Sequence, residues 1–185
     1  MRMFVAVLPP DRVVEDLDDF LEVRRDAAGA PRWSASHQWH VTLAFLPDVP
    51  ERAVEPLVDG TAAAAARTER MSLSLTGGGC FPDVAAARVL VAEIGGGESL
   101  APLARAVRSA ASVVGAAPDG GPFRPHLTLG RFGRPTDATR WVRLLDTYRG
   151  PSWTVEDVAV IASHLPRERG HRPRHEVLAR VPLSG

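Results

Sequence analysis

A four-residue pattern, His followed by an apolar residue, Thr and Leu, occurs twice in the chain, at 40–43 and at 126–129. Side chains of a β-strand alternate between the two faces of a sheet, so each His shares a face with the Thr two positions later. Each copy therefore predicts a strand that buries an apolar row and presents an imidazole and a hydroxyl on the opposite face. The copies are far apart in the sequence, so only tertiary folding can bring the two imidazoles together.

A single copy of this tetrad would be typical of an ordinary half-buried strand, because His is a residue of intermediate burial. Two copies in matched surroundings favour a functional interpretation. Each copy is preceded by a segment rich in Pro or Trp. Each is also followed by a turn signal, which is Pro47 after the first copy and Gly133–Pro135 after the second. We therefore interpret the pair as parts of one site.

The bulk composition restricts the class of protein. With 185 residues, 45% hydrophobic and 24% charged, the chain is expected to form one soluble globular domain over residues 1–185. Its 22 basic and 22 acidic residues balance, so net charge alone indicates neither a nucleic-acid nor a membrane partner. Cys80 is the only cysteine, which excludes an internal disulfide and fits a reducing compartment. The apolar start, Met1–Leu8, is too short for a signal peptide or a membrane span, so we expect a cytoplasmic protein.

Hydrophobic periodicity predicts an alternation of strands and helices. Strands are expected at 3–8, 39–46, 71–76, 89–94, 123–131, 153–165 and 176–183, and helices from Asp11 to before Gly29 and at 51–67, 99–114 and 137–148. The glycine triplets at 77–79 and 95–97 are interpreted as turns, because neither fits a phosphate-binding loop motif. The pattern suggests a two-layer α+β domain with two similar lobes.

Two imidazoles that face one cleft suit an in-line displacement at phosphorus, because an unperturbed pKa of about 6.5 allows either protonation state near neutrality. Thr42 and Thr128 would donate hydrogen bonds to the nonbridging phosphate oxygens, where negative charge develops. Arg131 could add a cation. In a regular strand its offset from His126 puts it on the opposite face, so a bend at Gly130 would have to turn it inward.

Together with Trp33, the segments Trp39–Leu46, Cys80–Pro82 and Phe123–Arg131 closely resemble the RNA 2′,3′-cyclic phosphodiesterases of the 2H phosphoesterase superfamily, also called 2′-5′ RNA ligases. The resemblance runs over nearly the whole chain. It implies a bilobal α+β fold in which two pseudo-symmetric lobes, with antiparallel sheets and with helices outside, flank a central cleft. It also implies hydrolysis of a 2′,3′-cyclic phosphate end to a 2′-phosphomonoester, and reversible ligation of 2′-5′ bonds when an RNA hydroxyl replaces water.

The same resemblance implies roles for individual residues. His40 corresponds to the proton donor to the leaving 3′ oxygen and His126 to the acceptor that activates water, while Thr42, Thr128 and Arg131 fall where such enzymes hold the phosphate. No metal or other cofactor is implied. The expected partner is RNA or a nucleotide with a 2′,3′-cyclic phosphate end; we expect no membrane, no obligate protein partner and a monomer.

Two departures from the family pattern concern the surroundings of the tetrads. Pro47 stands where the family commonly has Gly, and His175 stands where it commonly has Tyr. A ring contact from that Tyr to a substrate base is therefore in doubt here. Trp33 and Phe123 remain as candidate base-stacking surfaces.

Three alternatives compete with this interpretation. An RNA- or nucleotide-binding module could hold phosphates with Arg124, Arg131 and the basic loop at 167–174 without performing a reaction. A metal site could use the His pairs at 171/175 and 37/40, although no HExxH or CxxC motif is present. A serine or cysteine hydrolase is disfavoured because the sequence has no GxSxG.

Overall fold

The computed structural model describes residues 1–166 and 171–185, so positions 167–170 of the predicted basic loop lie outside the described residues. Within these ranges the helices are α1 (Asp11–Glu22), α2 (Glu51–Ala66), α3 (Ala101–Val113) and α4 (Thr139–Leu145). The strands are β1 (Met3–Val7), β2 (Arg32–Trp33), β3 (Val41–Leu46), β4 (Met71–Phe81), β5 (Ala87–Gly95), β6 (His126–Thr136), β7 (Arg149–Val155), β8 (Asp157–His164) and β9 (Arg174–Pro182). No helix in the described ranges combines the length and the apolar character needed to cross a membrane.

In the described part of the chain the strands form one antiparallel sheet with two halves. One half has the order β7-β4-β5-β6 and the other the order β3-β1-β8-β9, while the short β2 pairs with the outer part of β6. The halves join where β3 meets β6, at the pair Val41 and Leu127. Both tetrad strands therefore lie at the centre of the sheet, one in each half.

The helices cover one face of this sheet. Val13, Leu17 and Leu21 recur at helical spacing along α1 and are fully buried in the same core as residues of the other three helices. On the opposite face a small cluster contains Phe4, Ala6, Ala159 and Ile161, with no helical residue in it. We call this second face the open face. The two-layer α+β class predicted from the sequence is confirmed.

The predicted turn at Gly77–Gly79 is wrong, because these residues continue β4 up to Phe81. The pairing of β4 with β5 shifts between Leu75 and Gly78, so the strand passes through an irregularity rather than ending. A Cβ on Gly78 would lie 2.6 Å from the Leu145 Cβ of α4. The glycines thus allow α4 to approach β4 closely. A close tertiary contact and a turn both favour glycine, so the composition of the segment does not distinguish them. The triplet at 95–97 does end β5, as predicted.

Two other boundaries differ from the prediction. The single strand expected at 153–165 is two strands, β7 and β8, separated at Glu156. β7 pairs with β4 in one half of the sheet and β8 with β1 in the other, so the chain changes halves at this point without Gly or Pro. The turn expected at Gly133–Pro135 is also wrong: β6 runs on to Thr136, where it pairs with Ala87. The two-residue β2 has too few residues to show a period and was not predicted.

Candidate active site

The junction of the two sheet halves brings the tetrads side by side. Val41 pairs with Leu127 in an antiparallel ladder, and both side chains are completely buried. Extending this register by one residue in each direction sets His40 opposite Thr128 and Thr42 opposite His126. Because neighbouring side chains alternate, all four point to the open face, where each is partly exposed. The predicted alternation is thus present in both tetrads.

Each imidazole is tied to the backbone in the same way. His40 Nδ1 lies 2.8 Å from the carbonyl oxygen of Gln38, and His126 Nδ1 lies 2.6 Å from that of Arg124. A carbonyl oxygen can only accept, so Nδ1 carries the proton and donates it in both rings. The other nitrogen, Nε2, is left with a lone pair in the neutral ring. Both histidines are therefore oriented to exchange a proton at Nε2.

Aromatic rings support the two imidazoles from the sides. The His40 ring stacks on Phe4 with centroids 4.5 Å apart, and His175 meets His40 edge-on at 5.6 Å. His126 meets the Phe81 ring edge-on at 4.8 Å. These contacts restrict the rotation of both rings and remove water from one side of each. Of the three supporting residues, Phe81 belongs to a segment that carries the family resemblance and His175 is a departure from the family pattern, whereas Phe4 was missed from the sequence.

Burial lowers the proton affinity of both imidazoles. It lowers the pKa of His40 from 6.5 to about 4, and the hydrogen bond to Gln38 opposes this while the charges of His175 and His126 add to it. The pKa of His126 is also lowered, chiefly by burial; the hydrogen bond to Arg124 and the charge of Glu93 oppose this, and the charges of Arg124 and Arg131 add to it. The charge of His126 lowers the pKa of His40, so the two rings lie close enough to interact electrostatically.

Arg131 reaches the open face because β6 contains a bulge. Leu90 pairs with Gly130 and Val91 with Thr128, so one step on β5 spans two steps on β6 and Leu129 has no opposite residue. After this extra residue the alternation is inverted: Phe132 is buried in the core and Arg131 is exposed. The sequence required a bend at Gly130; the irregularity is instead a bulge at the preceding residue, Leu129, and it has the same effect on Arg131. The charge of Arg131 acts on His126.

A cavity of about 620 Å³ opens beside His126. Its lining includes Phe123, Phe81, Arg124 and Glu93. Phe123 thus lies next to the tetrad, as its predicted contact with a base requires. Glu93 was missed from the sequence: it pairs with His126 across β5 and β6, a register that no local pattern reveals.

Trp33 lies elsewhere. Its indole N–H donates to the carbonyl of Arg25 at 2.9 Å, and its ring meets Trp141 edge-on at 5.2 Å against the main core. The structure therefore shows a packing role for this ring, which does not line the cavity, and base stacking by Trp33 stays a prediction. Within the described residues the hydroxyls of Thr42 and Thr128 have no hydrogen-bond partner. No group of three or more potential metal ligands occurs in the same part of the chain.

Comparison with known proteins gives one family. Residues 9–167 match the model of the 2′-5′ RNA ligase superfamily. An RNA 2′,3′-cyclic phosphodiesterase of Geobacillus stearothermophilus is 30% identical over 158 residues, which cover 83% of this chain and 48% of that protein. The chain therefore spans about half the length of this curated relative.

Solved structures agree in the fold. A protein of Thermus thermophilus has a TM-score of 0.77 at 27% identity, with 100% of this chain and 99% of that chain covered. E. coli LigT in its apo form has a TM-score of 0.77 at 26% identity, with 100% and 98% covered. LigT has also been solved in complex with 3′-AMP. The predicted bilobal α+β fold class is confirmed by these matches.

Proposed function

This chain belongs to the 2′-5′ RNA ligase superfamily, and from this premise we propose that it hydrolyses the 2′,3′-cyclic phosphate ends of RNA or nucleotides to 2′-phosphomonoesters. The observation that carries the proposal is the pair of imidazoles on adjacent central strands, each with Nδ1 tied to a carbonyl and Nε2 free to exchange a proton. The names of a cyclic phosphodiesterase relative and of a structural relative solved with 3′-AMP support the same substrate class.

In the proposed reaction a water oxygen attacks phosphorus while His126 Nε2 takes its proton. The bond between phosphorus and the 3′ oxygen breaks, and His40 Nε2 gives its proton to that oxygen. The products are a 2′-phosphomonoester and a 3′ hydroxyl, and one proton has moved from His40 to His126 overall. Exchange with solvent restores the starting protonation. With an RNA 5′ hydroxyl in place of water, the same displacement breaks the bond from phosphorus to the 3′ oxygen and forms a 2′-5′ phosphodiester.

Thr42, Thr128 and Arg131 bind the phosphate in this proposal. The two hydroxyls lie on the same face as the imidazoles and are free to donate to the nonbridging oxygens, where charge increases in the transition state. Arg131 adds a full positive charge on that face through the bulge in β6. A phosphate anion bound among these groups raises the pKa of both imidazoles, which allows His40 to hold the proton that it must donate.

The direct test replaces each imidazole and measures turnover of a short RNA that ends in a 2′,3′-cyclic phosphate. His40→Ala and His126→Ala should each lower kcat by about 10² to 10⁴ fold, the usual contribution of a general acid or base. Binding of the RNA should stay measurable in both variants, since the phosphate-binding groups remain. The position of the phosphate in the product is determined by ion-exchange chromatography of a nuclease digest against authentic 2′- and 3′-phosphate standards, which separates the two isomers of equal mass.

His164→Ala is the matched control, because His164 lies at the end of β8 with its Nε2 2.9 Å from the Glu176 carboxylate, and it should leave turnover unchanged. Full turnover by both tetrad variants would reject catalysis by the two imidazoles. No turnover by the parent protein, with RNA binding intact, would favour the phosphate-binding module. A 3′-phosphate product would reverse the assignment of the leaving oxygen.

A further inference from the structure

The cavity beside His126 combines two kinds of surface. Phe81 and Phe123 contribute aromatic rings, and the Arg124 guanidinium lies 4.7 Å above the centroid of Phe81, which extends the planar wall. Two carboxylates, Glu93 and Glu98, also line it. A phosphate would be repelled by these carboxylates, whereas a neutral planar ring can stack on the aromatic wall. The volume of about 620 Å³ easily holds a nucleoside.

Glu93 is directed away from the tetrads. It pairs with His126 in the ladder, but a Cβ placed on Gly79 would lie 2.6 Å from Glu93 Oε1. The carboxylate therefore extends over Gly79 on β4, to the side opposite β3 and the first tetrad. Within the described residues it has no hydrogen-bond or ion-pair partner. An acceptor with two oxygens is thus presented inside the cavity, beside the position proposed for the phosphate.

From this arrangement we propose that the cavity binds the base of the nucleotide that carries the cyclic phosphate, and that Glu93 selects guanine. Among the four RNA bases only guanine presents two adjacent N–H donors, N1–H and the 2-amino group, on its Watson–Crick edge. A carboxylate can accept both through its two oxygens, whereas adenine and cytosine offer one amino group beside an acceptor nitrogen. The inference rests on the proposed function for the identity of the substrate, while Glu93 adds the base preference.

The test compares guanosine, inosine and adenosine 2′,3′-cyclic phosphates. Inosine lacks only the 2-amino group, so kcat/KM should fall from guanosine to inosine and again to adenosine, by at least about tenfold overall for a two-point contact. Glu93→Gln should reduce the preference for guanosine over adenosine to less than about threefold, because the amide keeps one acceptor oxygen and adds a donor. Glu55→Gln, an exposed change of the same kind on α2, should keep the full preference.

Binding of guanosine and adenosine 3′-monophosphates, measured by calorimetry, separates this inference from the proposed function. The parent protein could turn over none of the three substrates and still bind the guanosine monophosphate more tightly than the adenosine one. If Glu93→Gln abolishes that binding preference, the reaction is rejected and the base site is kept. Equal turnover of the three substrates, unchanged in Glu93→Gln, would overturn the base site and leave the reaction standing. A preference removed by Glu98→Gln and kept by Glu93→Gln would overturn the assignment to Glu93.

Discussion

At the scale of single residues, the property that matters most is how little freedom the two imidazoles have. Each Nδ1 donates to a carbonyl two positions earlier in the chain, and each ring rests against an aromatic neighbour. The same enclosure lowers both pKa values, so the free protein at neutral pH holds both rings predominantly neutral. The surroundings that fix the position of the two imidazoles therefore also weaken their affinity for protons.

These pKa values predict an acidic optimum for kcat/KM, which reports on the free enzyme. Catalysis by one acid and one base needs one proton on the pair, and that form exists between the pKa of His40, about 4, and that of His126, which lies below 6.5. We expect a bell with its maximum between about pH 4 and 6.5. Initial rates at substrate concentrations well below KM, measured from pH 3.5 to 9, provide the profile. A flat profile, or a maximum above pH 7.5, would contradict two-imidazole catalysis with these environments.

At the scale of strands, the two tetrads share a feature beyond their sequence pattern. β1 pairs Val5 with Ala44 and Ala6 with Thr42, so Leu43 is a bulged residue in β3. Leu129 is the bulged residue in β6, at the same place in its tetrad. Each bulge inverts the alternation that follows, which brings Phe45 in one half and Arg131 in the other to the open face. The equivalent positions thus hold an apolar ring and a cation.

The bulge in β6 lies beside a close contact with β2, and we expect this contact to hold it in place. A Cβ on Gly130 would lie 2.9 Å from Pro31 Cβ and 3.0 Å from the carbonyl oxygen of Arg32. Gly130→Ala should therefore lower the free energy of unfolding by about 1–3 kcal/mol, the usual cost of overpacking. It should also lower kcat/KM, because β2 and the bulge set the direction of Arg131. Urea unfolding and steady-state kinetics measure the two effects.

Gly133→Ala offers a control in the same strand, since nothing lies within 4 Å of a Cβ at that position. It should change the free energy of unfolding by less than about 0.5 kcal/mol, as an exposed substitution does. Equal stability of the two variants would show that β2 does not hold the bulge.

At the scale of the whole molecule, the site exists because two sheet halves meet along one short ladder. The helices and the main core lie on one face, so the sheet presents the tetrads on the other face, which no helix of the described ranges covers. His40 and His126 lie where the two halves meet, and burial disfavours the charged form of both. Protonation of the site is consequently coupled to the stability of the fold.

That coupling predicts loss of stability on acidification. The folded pKa of His40, about 4, lies below the unfolded value of 6.5, so the unfolded state binds more protons between these limits. The stabilisation is fully present above pH 6.5 and is lost as the pH falls towards 4, by about 3 kcal/mol at 1.36 kcal/mol per pKa unit. Urea unfolding at pH 7 and pH 4 measures the change. His40→Asn should lose about 3 kcal/mol less than the parent protein on this shift.

The sequence by itself determined the periodic features: the four helices, most strands and the residue pairs that share a face in each tetrad. It also indicated the family, because the paired tetrads and their flanking segments form a specific pattern. These properties depend on local alternation and on spacing, which the chain carries in its order of residues. Arg131 was predicted only conditionally, since the bulge that turns it arises from pairing between strands.

Only the tertiary structure decided the rest. Gly77–Gly79 and the segment at 153–165 were misinterpreted because a close helix contact and a change of sheet half leave no local mark. Glu93 joined the site through the register of β5 against β6, and His175 through the return of β9. Register, bulges and close approaches are settled by which segments meet, and segments far apart in the chain meet only when the whole core is formed.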